Sequence, residues 1–386
     1  MVRELGKIRV LCIFGTRPEV IKMAPVVREL ELRHGQIESR VCVTAQHREM
    51  LDEALAIFDI RPDYDLCIMQ EDQRLSDVTA AVFSRLDPVI DKEHPDWVLV
   101  QGDTTTVMAA SLVAYYHRCR VGHVEAGLRT GDKYQPFPEE VNRRVATVAA
   151  DLNFAPTDAA RDNLLREGVP SEQIIATGNP VIDALLLALR KPYDPQGTPL
   201  VDVPLTNRRI ILVTAHRHEN LGRPLENICH SLRQIADLYS DVQLVYPVHL
   251  NPRVQKPVHR LLETVPQISL LPPLDYLSFI NLMNRSTLVL TDSGGLQEEA
   301  AALHKPVLVM RETTERPEGV AAGVARVVGT DPARIVESVS DLLDHPEVYR
   351  QMASATNPFG DGTAARRIGD ALVAYTDEKR ATTVLS

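Results

Sequence analysis

Short apolar runs alternate with amphipathic stretches along almost the whole chain, and that alternation limits the fold more than any other feature. Ile8–Phe14 reads as a buried strand and 20–33 as an amphipathic helix. Further apolar runs lie at 40–44, 97–100, 121–124 and 152–154, with helical periodicity at 75–91 and 105–116 between them. Short, nearly continuous apolar strands joined by helices belong to a parallel sheet covered on both faces. Residues 191–199 interrupt the pattern with Pro and Gly and read as a linker. The alternation restarts at 210–214 and continues through 243–246, 268–271, 288–290 and 306–310. The expected fold class is therefore α/β, with two doubly wound parallel-sheet domains over 1–188 and 200–360. A last helix at 364–386 is expected to pack back on the first domain.

In such sheets the ligand groups gather at the carboxyl ends of the strands, and the polar motifs fall there. Asp292-Ser293-Gly294-Gly295-Leu296-Gln297-Glu298-Glu299 follows the run 288–290 and opens a helix. Unpaired N–H groups and the helix dipole make such a start an anion site, which glycine lets a phosphate approach. Glu298 and Glu299, just inside, suit ribose hydroxyls. Arg17 and Lys22 follow the first strand in a Gly-Thr-Arg-Pro-Glu turn that is not a dinucleotide fingerprint. Asp103 is either a helix cap or a site carboxylate. Glu125, at the next strand end, is harder to explain structurally, and Glu139 and Arg143 follow an irregular Pro-Phe-Pro stretch. Asp103, Glu125 and Glu139 are expected to converge, perturb one another's ionisation and supply proton-transfer groups. His216 and Arg217 open the loop after the second domain's first strand, and Arg311 and Arg316 add cations.

The net charge of −10 argues against a nucleic-acid or anionic-membrane partner. No apolar run reaches the length of a membrane helix, and the N-terminus lacks the apolar core of a signal peptide. Cys12, Cys42, Cys67, Cys119 and Cys229 form no C-x-x-C pair and read as buried free thiols in a reducing cytoplasm. No P-loop, zinc spacing or nucleophile elbow occurs, so neither NAD nor a metal is expected, and no cofactor is.

Taken together, the runs Phe14-Gly15-Thr16-Arg17-Pro18-Glu19, 44–51, 102–106, 123–131, Pro138-Glu139-Glu140, Asn142-Arg143, 291–295 and 314–318 resemble the non-hydrolysing UDP-N-acetylglucosamine 2-epimerases. The likeness covers essentially the whole chain. It implies a GT-B fold, usually as a homodimer, that interconverts UDP-GlcNAc and UDP-ManNAc through 2-acetamidoglucal. By position, Asp103, Glu125, Glu139 and His216 resemble the family's catalytic groups. Arg17, Lys22, Arg143, Ser293, Gly294, Gly295, Glu299 and Arg316 match substrate-binding positions, and Phe279 falls where an aromatic packs on uracil. Gln46, Arg217 and His249 fall where bacterial members hold a second, activating UDP-GlcNAc. His218 stands where many members have Arg, and Ala301 and His304 replace a common Pro and Gly. The resemblance to hydrolysing 2-epimerases, to diacetamido uronic acid epimerases and to GT-B glycosyltransferases or UDP-sugar sensors is weaker.

Overall fold

The computed structural model describes residues 6–44, 48–69 and 72–385. Residues up to Leu187, with those from Gly360 on, form one compact unit, and Ala188–Phe359 form another.

The first unit is built on a seven-stranded sheet of β1 (Ile8–Phe14), β2 (Ile37–Val43), β3 (Tyr64–Asp65), β4 (Trp97–Gln101), β5 (Arg120–Val124), β6 (Leu152–Ala155) and β7 (Ile174–Ala176). All pairs are parallel, in the order β3-β2-β1-β4-β5-β6-β7. Strand side chains alternate between faces. Val10, Cys12 and Phe14 of β1 therefore join one core layer, and Leu11 and Ile13 join the other. The order reverses between β1 and β4, so the turns after those strands diverge and leave a crevice.

The first helix spans Arg17–Leu32, three residues earlier than the periodicity suggests. Its third residue, Glu19, reaches back to accept from the Thr16 N–H at 2.7 Å, the geometry of a Thr-x-x-Glu helix start. Gly15 before it has no alternative, because a Cβ there would lie 1.9 Å from the Thr44 hydroxyl. The helix Ala364–Leu385 packs against Arg17–Leu32 and closes one face of the sheet. Ile368 and Leu372 enter the core, the Trp97 indole donates to Thr376 Oγ1 at 3.0 Å, and Asp183 accepts the Ala364 and Ala365 N–H groups.

The second unit repeats the plan with β8 (Arg209–Thr214), β9 (Val242–Pro247), β10 (Ile268–Leu271), β11 (Leu288–Thr291), β12 (Val307–Val309) and β13 (Ala325–Val327). All are parallel, in the order β10-β9-β8-β11-β12-β13, with the reversal between β8 and β11. At that reversal the Thr214 and Thr291 hydroxyls share a hydrogen bond of 2.7 Å, and in the first unit Thr44 and Thr106 do so at 3.1 Å. Cys12, Cys42 and Cys229 are buried free thiols, Cys119 is half-buried, and Cys67 is exposed in the turn after β3, unlike the burial expected of it. Among the described residues no helix is long and apolar enough to cross a membrane.

Ile368 is fully buried, so Ile368→Ala should lower stability by about 2–5 kcal/mol through lost burial and a residual cavity. An unchanged urea midpoint would show that the last helix is not part of the folded core.

Candidate active site

The residues expected to act sit at the two reversals and the strand ends beside them. In the first unit Glu125 follows β5 with φ 62°, a left-handed conformation uncommon outside glycine and a mark of functional constraint. Its buried carboxylate is bound by Lys22 Nζ at 2.6 and 2.7 Å, by the Asn179 amide at 2.8 Å and by the Gln101 amide. Lys22 comes from the first helix, Gln101 from the end of β4 and Asn179 from the turn after β7. Three separate elements thus hold one anion in place.

Asp103 leads into the helix Thr105–Tyr116, but the helix is capped by Thr104, which accepts from Val107 N at 3.3 Å. The cap reading of Asp103 therefore falls away. Its carboxylate instead pairs with the Arg143 guanidinium, and Asn142 holds its carbonyl at 3.0 Å. Burial raises the Asp103 pKa and Glu125 adds to the rise, against the pull of Arg143 and Lys22. Glu139 opens the helix Glu139–Ala149, and its Oε2 is enclosed with no hydrogen-bond partner. The next residue, Glu140, is fully buried and accepts from Thr130 N, Gly131 N, Arg143 and Arg144. Burial works to raise its pKa, yet these donors hold it below the usual carboxylate range. Arg17 is half-buried at the helix start and has no ion-pair partner among the described residues.

Behind this cluster Glu19 accepts from Gly15 N, Thr16 N and the hydroxyls of Thr16 and Thr104. Burial outweighs these four donors and raises its pKa. His123 is fully buried on β5, and its Nε2 lies 2.7 Å from the Gly102 carbonyl. Burial lowers its pKa to about 4, so the ring is neutral and Nε2 carries the proton it donates.

In the second unit Ser293 precedes the helix Gly294–Ala302, and its side chain makes no capping bond. The first-turn N–H groups have no partner within the helix. A Gly294 Cβ would stand 3.4 Å from Glu315 Oε2, 3.8 Å from Arg217 Nη2 and 4.0 Å from the Arg316 guanidinium. The glycine keeps this cationic approach open, as an anion site requires. Arg316 also pairs with Glu298, which is thereby occupied and not open to a ribose. Glu299 is bound by the buried Tyr276 hydroxyl at 3.1 Å. Tyr276 and the half-buried Phe279 share the helix Tyr276–Arg285, which begins at an Asp275 cap. Arg311 pairs with Glu219 at 2.9 Å and with Glu315 at 3.3 Å, and Glu315 also reaches Arg217 at 3.7 Å.

His216 stacks on His249 with ring centres 5.3 Å apart and planes 8° from parallel. Its pKa is lowered by burial first, then by His249 and Arg217, with Asp292 pulling the other way. Arg217, after β8, and His249, after the neighbouring β9, thus adjoin His216, the two positions expected to hold an activator. Gln46, their expected companion, lies outside the described residues. Sequence reasoning did not single out Gln101, Asn179, Glu140, His123 or Asp292 as site groups. Their shared signal is position, since each polar side chain is at or next to the end of a parallel strand or the start of a helix.

Residues 29–373 match the family model described as UDP-N-acetylglucosamine 2-epimerase. The UDP-N-acetylglucosamine 2-epimerase of Escherichia coli K12 is 52% identical over 372 residues, covering 94% of this chain and 98% of that protein. A UDP-GlcNAc 2-epimerase from Neisseria meningitidis, solved bound to UDP-GlcNAc, is 48% identical with a TM-score of 0.86, covering 95% of this chain and 100% of that one. The UDP-GlcNAc 2-epimerase of Methanocaldococcus jannaschii, solved with UDP-GlcNAc and UDP, is 32% identical with a TM-score of 0.76, again over 95% and 100%. These likenesses, with the two parallel sheets, show a GT-B-type fold.

The buried His123 makes the first unit acid-sensitive. Unfolded, it takes a proton as pH falls through about 6.5; folded, only near about 4. Between those values the unfolded state binds more protons, so lowering pH from about 7 to about 5 should remove about 2 kcal/mol of stability through this residue. Guanidinium unfolding of His123→Asn should show a correspondingly shallower pH dependence than the parent. Equal slopes would mean that His123 titrates normally in the folded chain.

Proposed function

Because the chain belongs to the UDP-N-acetylglucosamine 2-epimerase family, we propose that it interconverts UDP-GlcNAc and UDP-ManNAc without releasing free sugar. One observation carries this reading. The ion pairs Lys22–Glu125 and Asp103–Arg143 form a partly buried charge cluster at the strand ends of the first unit, with Glu125 acting electrostatically on Asp103. A proton beside the sugar's acetamido group is weakly acidic, and its removal needs a carboxylate base among groups that tolerate developing charge.

In the proposed reaction a carboxylate takes the proton from carbon 2 while the bond from carbon 1 to the phosphate oxygen breaks. Its electron pair leaves with UDP, and 2-acetamidoglucal remains. Protonation of carbon 2 from the opposite face and return of the UDP oxygen to carbon 1 give the epimer. The three carboxylates differ in how free they are. Glu125 is bound by three donors and suits a fixed anion near the reacting sugar. Asp103 has one cation and a raised pKa, and Glu139 keeps one oxygen without a partner, so these two are better proton carriers. In the second unit Gly294, Gly295, Arg316 and His216 suit the diphosphate, and Glu299 and Phe279 suit the nucleoside. The free cysteines support a reducing cytoplasm as its place of work.

The reading includes a homodimer. Tyr115, Tyr116, Val141 and Val148 expose apolar side chains on two neighbouring helices of the first unit, Val148 to 89%. Clustered exposed apolar groups of this kind mark interaction surfaces. Sedimentation should give about twice the chain mass of 42.9 kDa. A monomer at every concentration tested would remove the dimer.

Incubated with UDP-GlcNAc in heavy water, the protein should produce UDP-ManNAc and place deuterium at carbon 2 of both sugars, followed by proton NMR. Asp103→Asn and Glu139→Gln should each reduce turnover by about 10²–10⁴ while leaving UDP binding largely intact. Free ManNAc and UDP as the main products would replace this reading with hydrolysis.

A further inference from the structure

Asp292 ends β11 and is fully buried. Its Oδ2 is saturated: it accepts from His216 N at 2.8 Å, Arg217 N at 2.7 Å and the Asn220 amide at 3.0 Å. Its Oδ1 is enclosed and has no hydrogen-bond partner. A buried carboxylate oxygen left bare carries a desolvation penalty, so such atoms rarely stay unpaired. The ring nitrogen facing it is His216 Nδ1, 3.6 Å away. That is longer than a hydrogen bond, and a small rotation of the half-exposed imidazole closes it. The opposite ring face is held by the parallel stack on His249, whose own Nδ1 is engaged by Asn251 N at 3.1 Å.

We infer that Asp292 is a positioning residue that holds His216 in the Nδ1–H form and leaves Nε2 as the nitrogen presented to a ligand. A ring nitrogen's protonation is set by the partner of the other nitrogen. With Nδ1–H directed at the carboxylate, Nε2 holds the lone pair of the neutral ring and takes a proton from solvent when an anionic phosphate group binds beside it. The same carboxylate fixes the backbone of His216 and Arg217, so one anion sets both the place of the imidazole and its tautomer. The kinetic consequence rests on the role proposed for His216 above; the tautomer does not.

The test uses the full chain with ¹⁵N-labelled histidine. The His216 signal is identified by its loss in His216→Gln, and long-range proton–nitrogen correlation reports which nitrogen is protonated in the neutral ring. The parent should show Nδ1–H. Asp292→Asn keeps an oxygen for the two backbone N–H groups and turns its amide N–H toward Nδ1, so the ring should switch to Nε2–H. Turnover of UDP-GlcNAc should fall by about 10–100-fold, as for other loss of a partner that orients a histidine, with a far smaller change in UDP affinity. The double variant should be no slower than His216→Gln alone, because Asp292 acts through that ring. An Nε2–H ring in the parent overturns the inference, even if Asp292→Asn does not fold. So does unchanged turnover in Asp292→Asn, or a double variant whose loss is the product of the two single losses. If the parent forms no UDP-ManNAc, the epimerase reading fails and the tautomer measurement still decides the inference.

Discussion

Four buried carboxylates among the described residues each accept the N–H groups of two consecutive residues, two of them in the turns that end parallel strands, one in a loop and one at a helix start. Glu19 takes Gly15 and Thr16, Glu140 takes Thr130 and Gly131, Asp292 takes His216 and Arg217, and Asp183 takes Ala364 and Ala365. A parallel strand that ends in a buried turn leaves N–H groups that neither sheet nor helix satisfies. Where the turn is buried, as at Gly15, the acceptor must come from the protein. A carboxylate is the strongest available, because a charged acceptor forms bonds about twice as strong as a neutral one. The clasp also fixes where the following side chains begin. Arg17, His216 and Arg217 are therefore held before any ligand arrives, which is the preorganisation that electrostatic catalysis needs.

Burying so many anions requires compensation, and the two units solve it differently. In the first unit cations meet the anions directly: Lys22 with Glu125, Arg143 with Asp103 and Glu140, and the exposed Arg144 with Glu140. Where the donors are neutral, as at Glu19 and Asp183, burial wins and the carboxyl pKa rises. In the second unit Asp292 is met mostly by backbone and amide N–H groups, while the guanidinium groups of Arg217 and Arg316 stand around Gly294. One unit therefore offers internally balanced charge, suited to moving protons. The other offers backbone N–H groups at a helix start with guanidinium groups beside them that are paired to Glu298 and Glu315.

The alternation of apolar runs was enough to read both parallel sheets, because strands such as β1, β4 and β8 are apolar at all but one or two positions. β3, β7 and β13 went unread, being two or three residues long and too short to carry a period. The first helix begins at Arg17 and not at residue 20, since Thr16 and Glu19 form a start signal that apolar periodicity ignores. Site groups within contiguous motifs, such as Gly294 and Arg143, could be found by inspection. Asn179 and Gln101 could not, because their value lies in meeting Glu125 from strands far apart in sequence. Glu298 and Glu299 look interchangeable as a pair of adjacent acids. Only the helix turn between them, which points one at Arg316 and the other at Tyr276, gives them different partners.

The same reasoning separates the acids at the first unit's reversal. A carboxylate that already accepts three or four hydrogen bonds has its charged form stabilised and its geometry fixed, so it resists taking up a proton or moving toward one. Glu125 and Glu140 are of this kind. A carboxylate with an enclosed, unpartnered oxygen is in a different condition: that oxygen is not committed to the scaffold and stays available to a group that enters the site. Glu139 is of this kind, one residue before Glu140 on the same helix. Adjacent residues on a helix point about 100° apart, so a single turn supplies one acid locked into the scaffold and another with an oxygen uncommitted to it. A Pro-Glu-Glu sequence at a helix start thus separates holding the site from reacting in it, and the separation follows from helix geometry alone.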